Sequence, residues 1–397
     1  MKKLSFLMGA ALLTLGSCTN EINEEGFVDK ANTISFSAYS NKTRAAYTSG
    51  DIDDATAMQD GSFGVVGYKT NSTIYLGSAT KAIEQTWQSS AWGYATSTDL
   101  KYWPNVNMDF YAYFPYASSG DTFAESTSAE SISADGTVMT INNATGNQDV
   151  LFASARNQSY QERVPLTFYH AFSKVNSVNI KVELNDVNVE VKKVEFINTT
   201  SSKNSQVLVN KSGKASYGTA TGETSTCGHE LASAVTINST GDYKDNGYTV
   251  WSSTANKYLL ATQGENEDNK VTGTNKAMWD GTNDGWNSEE SLSNKDLVCL
   301  KITGKVTTHN GAEYLVGSAD RDGEIYIPLK GTNHTSVGAG NTTDEIDHFF
   351  AGKRYKYTFI LKNNVGFKDN GDPILKPILF NVEKVDSWDN VTVTITL

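Results

Sequence analysis

Apolar residues recur at every second position through most of this chain, not at the three-and-four spacing of a helix. Val391, Val393, Ile395 and Leu397 alternate with Thr392, Thr394 and Thr396, and Tyr355, Tyr357, Phe359 and Leu361 share one face of the 354–361 run. A period of two sends successive side chains to opposite faces of a strand. The same pattern predicts a first strand over 31–39, with Ile34, Phe36 and Ala38 pointing one way, and further strands over 63–68, 108–116, 137–141 and 149–153. The run 164–184 predicts either a strand pair or one bent strand. Beyond it, strands are expected at 187–197, 206–209, 248–251, 258–261, 297–306, 324–329 and 378–382. With 32 Gly and 19 Tyr but only 6 Pro, the composition suits short strands joined by polar turns. Long stretches rich in Ala, Leu, Glu and Lys are missing, which argues for an all-β chain and against α/β. Its 397 residues suffice for two domains, with a division expected near residue 180. One short helix is expected over 344–350, between Asp344 and Gly352.

The N-terminus has a different logic. Lys2 and Lys3 precede an apolar run from Leu4 to Leu15, too short to span a bilayer, for which roughly 20 apolar residues are needed. Leu15-Gly16-Ser17-Cys18 then forms a lipobox, so Cys18 is the expected lipidation site and first residue after signal removal. Residues 19–26 carry Glu21, Glu24 and Glu25 without hydrophobic periodicity, as in an acidic tether. Lys42, Thr43 and Arg44 sit among small and polar neighbours, a segment open to a trypsin-like protease.

A formal net charge of −12 argues against a nucleic-acid partner, because phosphate neutralisation needs clustered Lys and Arg. Cys227 and Cys299 are the thiols left beside Cys18; an oxidising compartment permits a bond between them, or both stay free. Cys227-Gly228-His229 lacks the second ligand pair of a zinc site and is expected in an exposed turn. His170 falls in an apolar run and is expected as a satisfied core or edge residue. The acidic groups Asp51-Asp53-Asp54, Asp280-Asn283-Asp284 and Asp320-Asp322-Glu324 supply oxygen ligands but not the calcium-loop spacing, and are expected as solvated turns. No nucleophile elbow, phosphate loop, metalloprotease helix or dinucleotide fingerprint occurs, so neither a catalytic set nor a cofactor or metal site is expected. The Met108–Tyr116 aromatic run, in which Phe110, Ala112 and Phe114 alternate with Tyr111 and Tyr113, offers a glycan-stacking platform or, by its strand period, core.

Taken in order, Ile34-Ser35-Phe36, Lys42-Thr43-Arg44, Phe63-Gly64-Val65, Tyr102-Trp103-Pro104, Phe110-Tyr111-Ala112-Tyr113-Phe114-Pro115, Phe168-Tyr169-His170-Ala171-Phe172-Ser173-Lys174 and Trp388 resemble the fimbrillin-like proteins of Bacteroidota, subunits of type V pili. The resemblance implies two transthyretin-like β-sandwich domains in tandem, over 45–180 and 181–397, behind a signal peptide (1–18) and a tether with a removable first strand (19–44). It also implies export as a lipoprotein to the outer membrane surface, cleavage by a trypsin-like protease and polymerisation with other pilin subunits in a fimbrium. Carried onto this chain, cleavage falls between Arg44 and Ala45, with Lys42 the second choice, and the donor strand carries Val391, Val393, Ile395 and Leu397. Those four side chains would contribute about 6–12 kcal/mol on burial, comparable with an association cost of about 4–15 kcal/mol. Two other readings keep the lipid on the chain: a pilus anchor, or a glycan-binding lipoprotein using Trp251, Trp279 and Trp286.

Replacing Cys18 by Ser is expected to abolish lipid attachment. The intact mass of the membrane-extracted chain checks this, and a diacylglycerol mass increment on the C18S chain would refute it.

Overall fold

The computed structural model describes residues 33–40, 58–70, 73–116, 121–123, 136–143, 148–199, 201–202, 205–219, 227–252, 257–259, 271–274, 276–282, 297–308, 310–330, 334–336, 340–342, 346–362, 365–369, 372, 374, 379–382, 389–390 and 393–396. Helical residues among them are limited to Met58 and the single turn Ser97–Asp99. All other regular structure is strand, as the alternation predicts.

The first strands are β1 (Phe36–Ser40), β2 (Ser62–Lys69), β3 (Ile74–Leu76), β4 (Ile83–Trp87) and β5 (Trp92–Tyr94). Then come β6 (Met108–Phe114), β7 (Thr122–Phe123), β8 (Thr137–Asn143), β9 (Leu151–Gln158) and β10 (Val164–His170). The middle of the chain supplies β11 (Ser173–Val182), β12 (Val187–Ile197), β13 (Ser205–Asn210), β14 (Ala215–Thr219), β15 (Cys227–Ile237), β16 (Tyr248–Trp251) and β17 (Lys257–Leu259). Next are β18 (Cys299–Thr308), β19 (Tyr314–Val316), β20 (Gly323–Pro328), β21 (His334–Ser336) and β22 (Gly340–Thr342). The chain ends with β23 (Lys353–Leu361), β24 (Leu379–Val382), β25 (Asp389–Asn390) and β26 (Val393–Thr396).

An eight-stranded sheet runs β1-β10-β9-β6-β2-β4-β5, with β3 attached to β2. Its centre is β6, paired to β2 on one side and β9 on the other, and both faces of β6 are buried. Phe110, Ala112 and Phe114 enter one core with Phe63, Val65, Leu151 and Val164. Tyr111 and Tyr113 enter another, under a four-stranded sheet ordered β14-β13-β8-β7. The aromatic run is therefore core on both sides and not a glycan platform. Its polar ends are satisfied: the Tyr111 hydroxyl donates to the Lys211 carbonyl at 2.7 Å, and that of Tyr68 to the Val138 carbonyl at 2.7 Å. Burial pushes both hydroxyls well above the usual tyrosine range, so they remain donors. Gly64 faces Tyr113 in register, and a Cβ there would lie 2.5 Å from that ring, so a glycine lets the aromatic side chain cross the strand.

Two of the remaining sheets form a sandwich, and β21 pairs with β22 in a two-stranded sheet. A seven-stranded sheet is ordered β16-β11-β23-β24-β26, with β17 on β11 and β25 on β23; a five-stranded sheet is ordered β15-β12-β18-β19, with β20 on β18. Between them lies a core built from Val178, Ile180 and Val182 of β11, Tyr355, Tyr357 and Phe359 of β23, and Val189, Val194 and Phe196 of β12. Tyr357 and Phe359 stack at 5.6 Å with ring planes 2° apart, a direct product of the period-two pattern. In β12 the alternation slips at Lys192-Lys193, where a bulge between Val191 and Lys193 affects pairing with both neighbours and keeps Val191 and Val194 on the core side.

Several expectations need correction. Residues 164–184 are a strand pair whose members enter different sheets, β10 in the eight-stranded and β11 in the seven-stranded one. No helix occupies the described residues 346–350; the Asp347 carbonyl instead accepts from the Met278 N–H at 2.6 Å, and Phe349 is buried. The segment is held instead by burial of Ile346 and Phe349 in the core of the sandwich. Cys227-Gly228-His229 is no exposed turn: it begins β15, with Cys227 buried. Cys227 and Cys299 are both free. They face Phe196 and Ile197 from opposite sides of β12, two strand spacings or about 9.5 Å apart, beyond the reach of about 4–7 Å between bonded Cα atoms.

Gly304 sits opposite Val191 at the bulge, and a Cβ there would lie 1.8 Å from the Glu190 carbonyl oxygen. Gly304→Ala is expected to cost about 3 kcal/mol, the upper end of overpacking penalties, read as a lower denaturant midpoint at unchanged slope.

Candidate assembly site

Of the residues singled out for assembly, Cys18, Lys42, Arg44, Ala45, Val391 and Leu397 lie outside the described residues. Those that can be placed lie on two strands at the edges of different sheets. β1 is the end strand of the eight-stranded sheet, and β26, carrying Val393 and Ile395, is the end strand of the seven-stranded one.

The first strand is held both by its side chains and by its backbone. Ile34 is fully buried, Phe36 nearly so, and the Phe36 ring packs edge-on against Phe110 at 5.3 Å and Phe63 at 6.3 Å. Its backbone pairs in parallel with β10, Phe36 opposite Val164 and Ala38 opposite Leu166. The parallel ladder is slightly weaker per residue than the antiparallel pairs elsewhere in that sheet. The Val164 N–H donates to the Ser35 carbonyl at 2.8 Å, the Ile34 N–H to the Lys101 carbonyl at 3.0 Å, and the Ser35 hydroxyl to the Glu162 carbonyl. Across the other side, the Tyr94 hydroxyl donates to the Ile34 carbonyl at 2.9 Å. Burial raises that hydroxyl far above its usual range and fixes it as a donor.

Because Val164 N–H points at β1, the alternation of a strand turns the position of Pro165 away from it. The missing proline N–H therefore leaves the β1-facing row of β10 intact. Burial of Ile34 and Phe36 contributes about 3–6 kcal/mol, and the backbone bonds about 1 kcal/mol each. The groove under β1 also contains Trp92 and Trp103, both buried with the first-strand residues. Trp103 belongs to the Tyr102-Trp103-Pro104 segment that the sequence marks out; β5, bearing Trp92, has too few residues for a periodic signal.

At the other end, β26 pairs antiparallel with β24, Val393 opposite Val382 and Ile395 opposite Phe380. β24 in turn pairs with β23. The C-terminal strand thus completes a sheet of its own chain, one strand from the sandwich core.

Of the acidic residues named in the sequence, Asp280, Asp322 and Glu324 make local pairs. No group of three or more His, Cys, Asp or Glu that could hold a metal occurs among the described residues. His170 Nδ1 lies 3.0 Å from the Asp149 carboxylate, a satisfied residue at the end of β10. The Asp280 carboxylate caps its own turn by accepting from the Thr282 N–H at 2.9 Å. Asp322 pairs with Lys192 at 2.9 Å, and Glu324 with Lys301 at 3.3 Å. Trp251 and Trp279 are buried and offer no face to a glycan; Trp286, Asp51, Asp53, Asp54, Asn283 and Asp284 lie outside the described residues. No helix among the described residues is long and apolar enough to cross a membrane.

Replacing Phe36 by Ala is expected to destabilise the uncleaved chain by about 3–5 kcal/mol. Equilibrium denaturation checks this; a loss below 1 kcal/mol would mean that β1 does not anchor the core.

Residues 43–289 match the family model described as fimbrillin-like. No curated protein matches the chain. Among solved structures, a fimbrial protein from Bacteroides vulgatus ATCC 8482 is similar at 16% identity, covering 88% of this chain and 98% of that one with a TM-score of 0.45. A fimbrilin from Porphyromonas gingivalis W83 is similar at 12% identity, covering 93% of this chain and 99% of that one with a TM-score of 0.38. The family match spans more than half of the sequence, and the chain belongs to the fimbrillin-like family.

Proposed function

We propose that this pilin-like surface adhesion protein is a shaft or tip subunit of a type V pilus, exported as a lipoprotein through Cys18, cleaved after Arg44 and polymerised by donor-strand exchange. The observation that supports this most is the construction of β1. It is an edge strand, upstream of Arg44, whose side chains are nevertheless part of the core. Covalent continuity holds such a strand at high effective concentration. Cutting the chain at Arg44 removes that advantage, so β1 becomes a dissociable peptide. Its departure would expose an apolar groove and the free N–H and C=O row of β10, a template for a strand from another subunit. The donor in this reading carries Val391, Val393, Ile395 and Leu397.

Within the same reading, the chain forms two sandwich units of transthyretin-like type, over 45–180 and 181–397. Strand pairing crosses that division in both directions: β11 pairs with β23, and β13 with β8. Its partners are other pilin subunits, a trypsin-like maturation protease and, through the precursor's lipid, the outer membrane.

Mature protein taken from the cell surface is expected to begin at Ala45 and to carry no lipid, by N-terminal sequencing and intact mass. Changing Lys42 and Arg44 to Gln should retain the first strand and stop fibre formation. An acylated Cys18 on an uncleaved chain within fibres would overturn the proposal.

A further inference from the structure

β18 and β20 turn Ile302, Ile325 and Ile327 into the sandwich core, so Thr303, Glu324 and Tyr326 face the other way. On that outer face lies a cleft of about 530 Å³, within the range of roughly 300–1,000 Å³ of small-molecule sites. Thr303 and the buried Tyr326 contribute to its floor. One wall is the turn between β19 and β20, where the Ser318 N–H donates to the Arg321 carbonyl at 2.7 Å and the Arg321 N–H to the Ser318 hydroxyl at 3.1 Å. The other wall carries Lys368 and Asp369, next to Phe367, which exchanges backbone bonds with Tyr326 at 2.9 and 3.0 Å. The Phe367 ring packs on Trp279 at 5.0 Å. Both walls are thus fixed by backbone bonds and packing.

The charges around this cleft are only partly paired. Asp322 accepts from Lys192 through both oxygens at 2.9 Å, and Glu324 accepts from Lys301 at 3.3 Å and from the Tyr326 hydroxyl at 2.7 Å. That hydroxyl has one proton and has given it to Glu324, so it has none for Asp369 beside it. The Asp369 Oδ1 is out of water and has no hydrogen-bond partner among the described residues, a state that calls for a donor from elsewhere. Arg321 and Lys368 have exposed side chains without an ion pair among the described residues. Two cations and one carboxylate are left over, a sum of one positive charge.

We propose that the cleft binds a sugar unit bearing a single carboxylate, a hexuronic or sialic acid. The ligand carboxylate meets Arg321, whose planar fork matches it in two parallel bonds, with Lys368 as the second cation. A ring hydroxyl donates to Asp369, whose terminal torsion is soft enough to turn the unpartnered oxygen toward it. A metal ion suits the cleft less well, since Asp322 and Glu324 are already engaged by lysines. Inorganic sulfate brings no donor for Asp369. The site does not depend on strand exchange, because none of its residues belongs to β1 or β26.

The test titrates the full-length chain with D-glucuronate, N-acetylneuraminate, D-glucose and sodium sulfate, read by saturation-transfer NMR for the sugars and by competition for sulfate. Glucuronate or N-acetylneuraminate should bind and glucose should not, and the tighter acid tells a hexuronic from a sialic ligand. Arg321→Ala and Lys368→Ala should each weaken the acid about 10-fold, the loss expected of one charge-assisted bond, at an unchanged unfolding midpoint. Arg321→Lys, which keeps the charge without the fork, should fall between. Asp369→Ala should lower the affinity for the acid relative to sulfate by about 10-fold, because the hydroxyl loses its acceptor while a bare anion loses a repulsive charge. Failure of the unsubstituted chain to bind either acid, or equal binding of glucose, overturns the proposal. Undiminished binding by R321A overturns it as well. Sulfate bound as tightly as either acid, with the ratio unchanged in D369A, means an adventitious ion only.

Discussion

Burial of both faces of β6 is the constraint around which the first half of the molecule is arranged. A strand with aromatic residues at consecutive positions cannot leave either face in water without exposing large apolar rings. The eight-stranded sheet covers Phe110 and Phe114 by curving over its own inner core, and it covers Tyr111 and Tyr113 by carrying a second sheet on its back. That second sheet is assembled from strands far apart in the chain, β7 and β8 with β13 and β14. The tyrosine hydroxyls bridge the two layers through backbone carbonyls and so fix their separation as well as their contact.

The same demand explains why an edge strand can matter so much. The inner core of the eight-stranded sheet is not complete until Ile34 and Phe36 are in place, since Phe36 touches both Phe63 and Phe110. A strand so positioned combines side-chain burial with a five-residue backbone ladder along one edge. Edges are ordinarily a hazard in β proteins, to be blunted or covered; here the edge of β10 is covered by a strand of the same chain, in parallel, with Pro165 turned to the side where its missing donor does no harm.

Alternation of apolar residues made most strands legible, among them β1, β6, β11, β12, β18 and β23, and with them the all-β class. The short strands β3, β5 and β19 were not legible, because three residues carry no period. The slip in β12 has a local mark, the adjacent Lys192 and Lys193, which a strict period-two reading passes over. Tryptophan composition alone suggested exposed binding faces at Trp251 and Trp279, yet both rings are buried, since the area of the ring favours core wherever a partner sheet is available.

By itself the sequence determined most of the longer strands, which face of each is apolar and, through the ordered motifs, the family. Only the tertiary structure decided which strands share a sheet. Residues 164–184 look continuous, yet the chain turns at Ala171 and Phe172 and delivers β10 and β11 to different sheets. Alternation is a property of one strand and its own backbone, whereas register, partner choice and unfilled volume depend on side chains that meet from distant parts of the chain.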